Sequence, residues 1–269
     1  MFRLFKSELK RMITSRYLLF GILVCLIGVF MQLAYIYHLY FNGIDTFASS
    51  FEKWIPLYNE FGRTTFLWLF PLAVSIPYAW TVRDELNSGY VNQMIVRVKR
   101  QKYFFTKLAI SFVSGFLVSA CALSIDFIGV AMVQRTIHPE PNGGMSIIGP
   151  LNIISRTYYE HPYLYLLFWI VIFSVWGGVI SGICTTAGLF IKNKFVVLVS
   201  AQIIFILQSM LVPFIFTIYT EDYNRWFYFL DPTLYRIGSG NTSIFSVGAV
   251  LLAIEIVLVA VKGKLYESV

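Results

Sequence analysis

Charge is what this chain has least of. Of its 269 residues only 13% are Asp, Glu, Lys or Arg, against 58% hydrophobic ones. A soluble domain carries about 25% charged residues. Half that density cannot cover the surface of a soluble protein this long, so lipid is expected to cover much of it. The mean hydropathy of +0.70 points the same way. Cysteine is scarce as well. Cys25, Cys121 and Cys184 are odd in number, and each falls inside a different apolar run. A disulfide framework is therefore not expected, and the three read as small packing residues. The familiar catalytic signatures are missing too. There is no GxxxxGK[ST] loop to cradle nucleotide phosphates, and no HExxH, CxxC pair or GxSxG. His38, His138 and His161 fall at expected outer edges and loops. His138 and His161 could share a metal if their loop folded back, but lone loop histidines are ordinarily solvated, and no metal site is expected.

What is present is a set of long apolar runs. A spanning helix needs roughly 20 mostly apolar residues. Six segments qualify, at about 17–38, 64–82, 104–133, 163–191, 195–219 and 243–261. The second contains Pro71 and Pro77, tolerable as kinks where neighbouring helices re-satisfy the freed carbonyls. The fourth and fifth are separated only by Lys192, Asn193 and Lys194, which predicts a tight helical hairpin. The first run lies behind basic residues, but it is of full spanning length and lacks a small-residue cleavage site, so it reads as a span rather than a cleaved signal. The fold expected is all-α: one integral membrane domain over residues 1–269, with six transmembrane helices.

The basic residues set the orientation. Placing both termini in the cytoplasm puts fifteen of the 21 Lys and Arg inside and six outside. Asp45, Glu52, Glu60, Glu140, Glu160, Glu221, Asp222 and Asp231 then fall outside. Inner loops carry the Lys/Arg excess in membrane proteins, so both termini are expected to be cytoplasmic. Three outer connections follow, at roughly 39–63, 134–162 and 220–242. They are rich in aromatic residues suited to the membrane interface, and the last could dip back into the membrane between Pro213 and Pro232.

The first inner loop, 83–103, is too apolar for a flexible linker and too charged to cross a bilayer. Read as a helix over 85–98, it places Leu86, Tyr90, Val91, Met94, Ile95 and Val98 on one stripe and Asn87, Ser88, Asn92, Gln93 and Arg97 on the other side. A basic VKRQK segment follows. Such a helix can lie on anionic headgroups, or it can dock on a cytoplasmic partner and pass motion to the flanking spans. Residues 1–15 repeat the theme. Phe2, Phe5, Leu9, Met12 and Ile13 form an apolar stripe beside Arg3, Lys6, Lys10 and Arg11, which predicts an interfacial helix before the first span.

With Asp84, Glu85, Ser88 and Gly89, then Met94, Ile95, Arg97, Arg100, Tyr103 and Lys107, this loop resembles the E-x-x-x-G-x…R-x…R-x-x-(Y/F)-x-x-x-K pattern of permease subunits of ABC-2-type ATP-binding-cassette exporters. Leu230-Asp231-Pro232 is similar to the aromatic-Pro element before that family's last span. The resemblance implies that the loop is a coupling helix. Glu85, Gly89, Tyr90, Met94, Ile95, Arg97 and Arg100 would then form the contact with a cytoplasmic ABC ATPase subunit. It further implies a second permease chain, identical or related, with ATP and Mg bound by the ATPase rather than by this chain, and a multi-pass place in a bacterial plasma membrane. Small outer loops and an aromatic, apolar interior suit an amphipathic substrate, such as a peptide or lipid-like molecule. Immunity to antimicrobial peptides is a role that small members of the family often serve. Membrane lipids are the remaining partners, and nothing indicates nucleic acid.

Two carboxyls fall inside spans. Asp126 shares a face with Ser111, Gly115, Ser119 and Ala122, and Glu255 shares one with Gly248. Ionisable groups at that depth cost about 2.5–3.5 kcal/mol on insertion scales, so both should face protein or water. They could line a translocation path or be hydrogen-bonded within the bundle. Gly178-Val-Ile-Ser-Gly182 is a small-xxx-small face suited to close helix packing. Two alternative functions stand beside the exporter. One is a non-transporting membrane scaffold or sensor whose basic loop recruits a regulator. The other is an intramembrane enzyme, which would need paired groups at one depth, with only Asp126 and Glu255 as candidates.

Overall fold

A computed structural model describes residues 2–43, 49–56, 61–139, 154–215, 230–232 and 243–265. Every regular element among them is helical. In chain order these are α1 (Phe2–Ile13), α2 (Arg16–Phe41), α3 (Ser50–Lys53), α4 (Phe61–Ser75), α5 (Thr81–Asn87), α6 (Tyr90–Ile95), α7 (Arg100–Ala131), α8 (Ser155–Glu160), α9 (Pro162–Ala187), α10 (Lys194–Ile215) and α11 (Ser243–Leu265). Five of them, α2, α7, α9, α10 and α11, are long and apolar enough to cross a membrane.

The second expected span departs from a single helix. α4 runs only 15 residues, about 22 Å at 1.5 Å per residue, and carries Pro71 inside it. Ser75 Oγ donates to the Pro71 carbonyl at 2.7 Å. Pro77 then falls in a turn at 76–80, and helix resumes as α5. Proline removes a backbone donor and clashes with the preceding turn, so the run expected to span with kinks at Pro71 and Pro77 is instead broken at the turn that holds Pro77. The helix expected over 85–98 is likewise two helices, α5 and α6. Gly89 between them has φ +72°, a left-handed conformation that glycine adopts without the clash a Cβ brings. The fourth and fifth spans form the expected hairpin, with Asn193 Oδ1 accepting from Phe195 N–H at 2.9 Å to start α10.

Small residues decide which helices touch most closely. α7 and α9 share the most extensive contact of any two helices among the described residues. A Cβ at Gly115 would collide with the carbonyl of Gly177, and one at Gly178 would sit 2.7 Å from the Phe112 ring. Ser111 Oγ meets Ser181 Oγ at 2.7 Å, and Thr185 Oγ1 donates to Ser111 Oγ at 2.6 Å. The 178–182 motif thus packs within this bundle. α2 meets α4 through Gly28, where a Cβ would lie 2.6 Å from Phe66 Cα. α11 rests on α7 and α9 by a narrow stripe of Val247, Gly248, Glu255 and Val259, while Val250, Ile254, Val257 and Val261 are exposed. Such an apolar outer face is what lipid would cover. All three cysteines are free.

One inward-folded piece was not foreseen. Residues 49–56 fold inward against the end of α7. Ser49 caps α3 in a reciprocal box with Glu52, and Trp54 Nε1 donates to the Leu123 carbonyl at 3.1 Å. Gln32 Nε2 donates to the Lys53 carbonyl at 2.8 Å. The expected re-entry over 220–242 and the Pro213 side chain lie outside the described residues, apart from 230–232.

Candidate functional site: a buried charge cluster under a projecting tip

The basic segments gather at one end of the bundle. Arg83 Nε donates to the Lys192 carbonyl at 3.1 Å, Lys262 Nζ lies 5.4 Å from the Phe190 ring, and Gly263 lies against Gln101. At the centre of this end is a closed cluster of charge. Lys107, one turn past Tyr103 on α7, is 1% exposed in its side chain. Its Nζ lies 2.7 Å from Glu85 Oε1 of α5 and 2.9 Å from Glu8 Oε2 of α1. Tyr78 donates to Glu8 Oε2 at 2.5 Å, and Tyr103 donates to Glu85 Oε2. Arg11 Nη1 donates to Glu85 Oε1 at 2.6 Å. The ammonium also sits 5.4 Å from the ring centroids of both tyrosines, within reach of cation–π attraction.

Two carboxylates, one ammonium and one guanidinium make the cluster neutral. Buried charge is tolerated when it is paired and its remaining lone pairs are hydrogen-bonded. Both conditions hold here. Burial works against the Arg11 charge, but the hydrogen bond and charge of Glu85, with Glu8 adding to them, win, so the guanidinium is held above its ordinary value. The geometry follows from helical spacing. Glu8 and Arg11 are three apart on α1, Tyr103 and Lys107 four apart on α7, and such pairs share a face. Three separate stretches of chain are joined at one point.

The loop above this point has two faces. Its base is held: Val91 is fully buried, and Leu86, Met94 and Ile95 pack with Val82, Tyr103, Phe104 and Leu108. Asn87 Nδ2 donates to the Lys192 carbonyl at 3.3 Å, and Lys194 pairs with Asp84 at 3.3 Å. Its tip is open. Val96 is 87% exposed, Tyr90 39%, and Arg97 is also exposed. The proposed contact set therefore divides by position. Tyr90 and Arg97 face out, Met94 and Ile95 are half-buried, Gly89 makes the bend, Arg100 opens α7 half-buried, and Glu85 points inward at 4% exposure.

Glu8 and Tyr78 were not singled out from the sequence, although a signal for Glu8 was there. It is the one acid before residue 45, and it falls on the apolar stripe of α1 between Phe5 and Met12. An acid on the buried face of a basic helix needs a buried cation.

The two acids within spans behave differently from this cluster and from each other. Asp126 Oδ2 accepts the Ile55 backbone N–H at 2.9 Å, pinning the inward-folded segment 49–56. Glu255 is 2% exposed and pressed against Gly182, and among the described residues neither carboxyl oxygen has a hydrogen-bond partner. Gly182 lies on α9 beside Ser181, which meets Ser111 of α7. Asp126 is fifteen residues further along α7 than Ser111, about 22 Å by helical rise. The two carboxyls thus stand at different levels and do not form a pair. Among the described residues no three His, Cys, Asp or Glu side chains group as metal ligands. No family model, curated protein or solved structure matches the chain.

Proposed function

We propose that the chain is the membrane-spanning subunit of an ABC-2-type exporter, with both termini cytoplasmic, a second permease chain beside it and a separate ATPase below. The observation that carries this reading is the two-faced loop. An exposed Val96 and Arg97 tip offers an apolar and a cationic contact to a partner. Beneath it, Glu85 is bonded to Lys107, Tyr103 and Arg11, so a push on the tip reaches α7 and α1 without slack. A membrane anchor has no need of such a joint. A transmission point does. The substrate that suits the apolar, aromatic bundle is an amphipathic peptide or a lipid-like molecule, and Glu255, buried with no hydrogen-bond partner among the described residues, is the acid we assign to its path.

The test is a tagged purification from native membranes, comparing the unaltered chain with a Val96→Asp/Arg97→Glu form. Both positions are exposed, so folding is expected to survive. An ATP-hydrolysing protein should travel with the unaltered chain and be lost from the altered one. An intact chain that brings down no ATPase would contradict the reading. A non-hydrolysing partner lost from the tip variant would favour the scaffold instead.

A further inference from the structure

A groove of about 450 Å³ opens on the side of the bundle at its basic end, between the first turns of α2, the turn after α4 and the start of α10. Its volume is within the range of ligand-binding pockets. Tyr17, Phe20, Ile76, Trp80 and Phe195 line it, and Tyr17 stands edge-on to Trp80 with centroids 5.1 Å apart. Tyr17, Phe20 and Phe195 are each more than half exposed, so the groove faces the space that hydrocarbon fills. One charged side chain lines it. Lys194 sits at its mouth, with Nζ 6.0 Å from the Trp80 ring centroid.

We propose that this groove binds one anionic phospholipid from the leaflet at the basic end, its acyl chain along the aromatic wall and its phosphate at Lys194. Charge complementarity decides the occupant. Arg16 adjoins Tyr17 at the start of α2, and Arg83 and Lys192 meet at the turn beside Lys194. The acid paired with Lys194 at this rim is Asp84, in a half-exposed ion pair that a phosphate can displace. The mouth also coincides with the N-terminus of α10, whose dipole favours an anion. Aromatic side chains at headgroup level complete the match. A polypeptide partner would approach from water, whereas this groove opens sideways. The inference is independent of any ATPase.

The experiment is native mass spectrometry of the full chain in detergent, titrated separately with dioleoyl phosphatidylglycerol and dioleoyl phosphatidylcholine. The phosphatidylglycerol adduct should persist at several-fold lower lipid concentration. Lys194→Gln should weaken it about five-fold, the effect of one basic residue near an anionic headgroup, and should leave phosphatidylcholine unchanged. Lys264→Gln, an equal loss of charge on exposed α11, should change neither. Ile76→Trp should fill the groove and lower binding of both lipids. Equal retention of the two lipids by the unaltered chain would overturn the proposal. So would a Lys264→Gln effect as large as that of Lys194→Gln, or full retention of phosphatidylglycerol by a folded Ile76→Trp chain.

Discussion

The buried acids at the basic end and those inside the spans are solved in opposite ways. Glu8 and Glu85 are wrapped by an ammonium, a guanidinium and two phenols. Among the described residues Asp126 has one backbone N–H, and Glu255 has no hydrogen bond. The first arrangement fixes three chain segments against one another. The second ties down one backbone N–H through Asp126 and nothing through Glu255. The difference teaches where rigidity is built: at the base of the projecting loop, rather than at mid-span.

The largest effect is expected where compensation is fullest. Lys107→Met leaves two carboxylates buried beside each other, and breaking a buried pair in this way costs about 3–5 kcal/mol. Thermal unfolding in detergent should show a large fall in midpoint, and α1 should become protease-sensitive. A midpoint unchanged from the parent would erase the contrast between the two kinds of acid. Next comes Asp126→Leu, which strands the Ile55 N–H in a buried site, at about 1–3 kcal/mol. Its signature is local: faster amide exchange over 50–56 with α9 unaffected. Gly115→Ala forces a Cβ onto the Gly177 carbonyl, and overpacking of this kind costs about 1–3 kcal/mol. Arg11 is the exposed member of the cluster, at 54% side-chain exposure, and pairs of that kind contribute about 1 kcal/mol or less. Arg11→Gln should therefore lower the midpoint much less than Lys107→Met. Smallest of all is Glu255→Gln, where no hydrogen bond is lost and one buried polar group without a partner replaces another of the same size. A transport assay on that variant separates its two roles: equal transport would remove Glu255 from the substrate path.

Much of the layout was legible in sequence because it rests on hydropathy and small residues. Five of the runs became long helices near their expected bounds, and Ser111, Gly115, Ser119 and Asp126 do share a buried face. What failed was continuity. Pro71 and Pro77 were read as tolerable kinks within one span and Gly89 was placed inside one helix, because the apolar pattern continues on either side of Pro77 and Gly89, where the helices end. The cluster was half visible. Glu85, Tyr103 and Lys107 stood in one pattern as a string of types, while their meeting point depends on how α5 returns beneath α7. Glu8 lies 99 residues from Lys107, and spacing along a chain cannot show such a pairing. The inward fold of 49–56 was hidden because backbone groups, Ile55 N–H and the Leu123 and Lys53 carbonyls, do most of the holding.

The most direct test of the fixed base and open tip is amide hydrogen exchange on the full chain in lipid nanodiscs. Peptides covering 82–87 and 103–108 should exchange slowly, because their amides sit beneath the cluster. Those covering 96–99 should exchange fast, since only short local hydrogen bonds cover them. Lys107→Met should raise exchange over 82–87 and leave 96–99 as fast as before. Uniform exchange across 82–99 in the unaltered chain, or a Lys107→Met profile identical to it, would contradict the account.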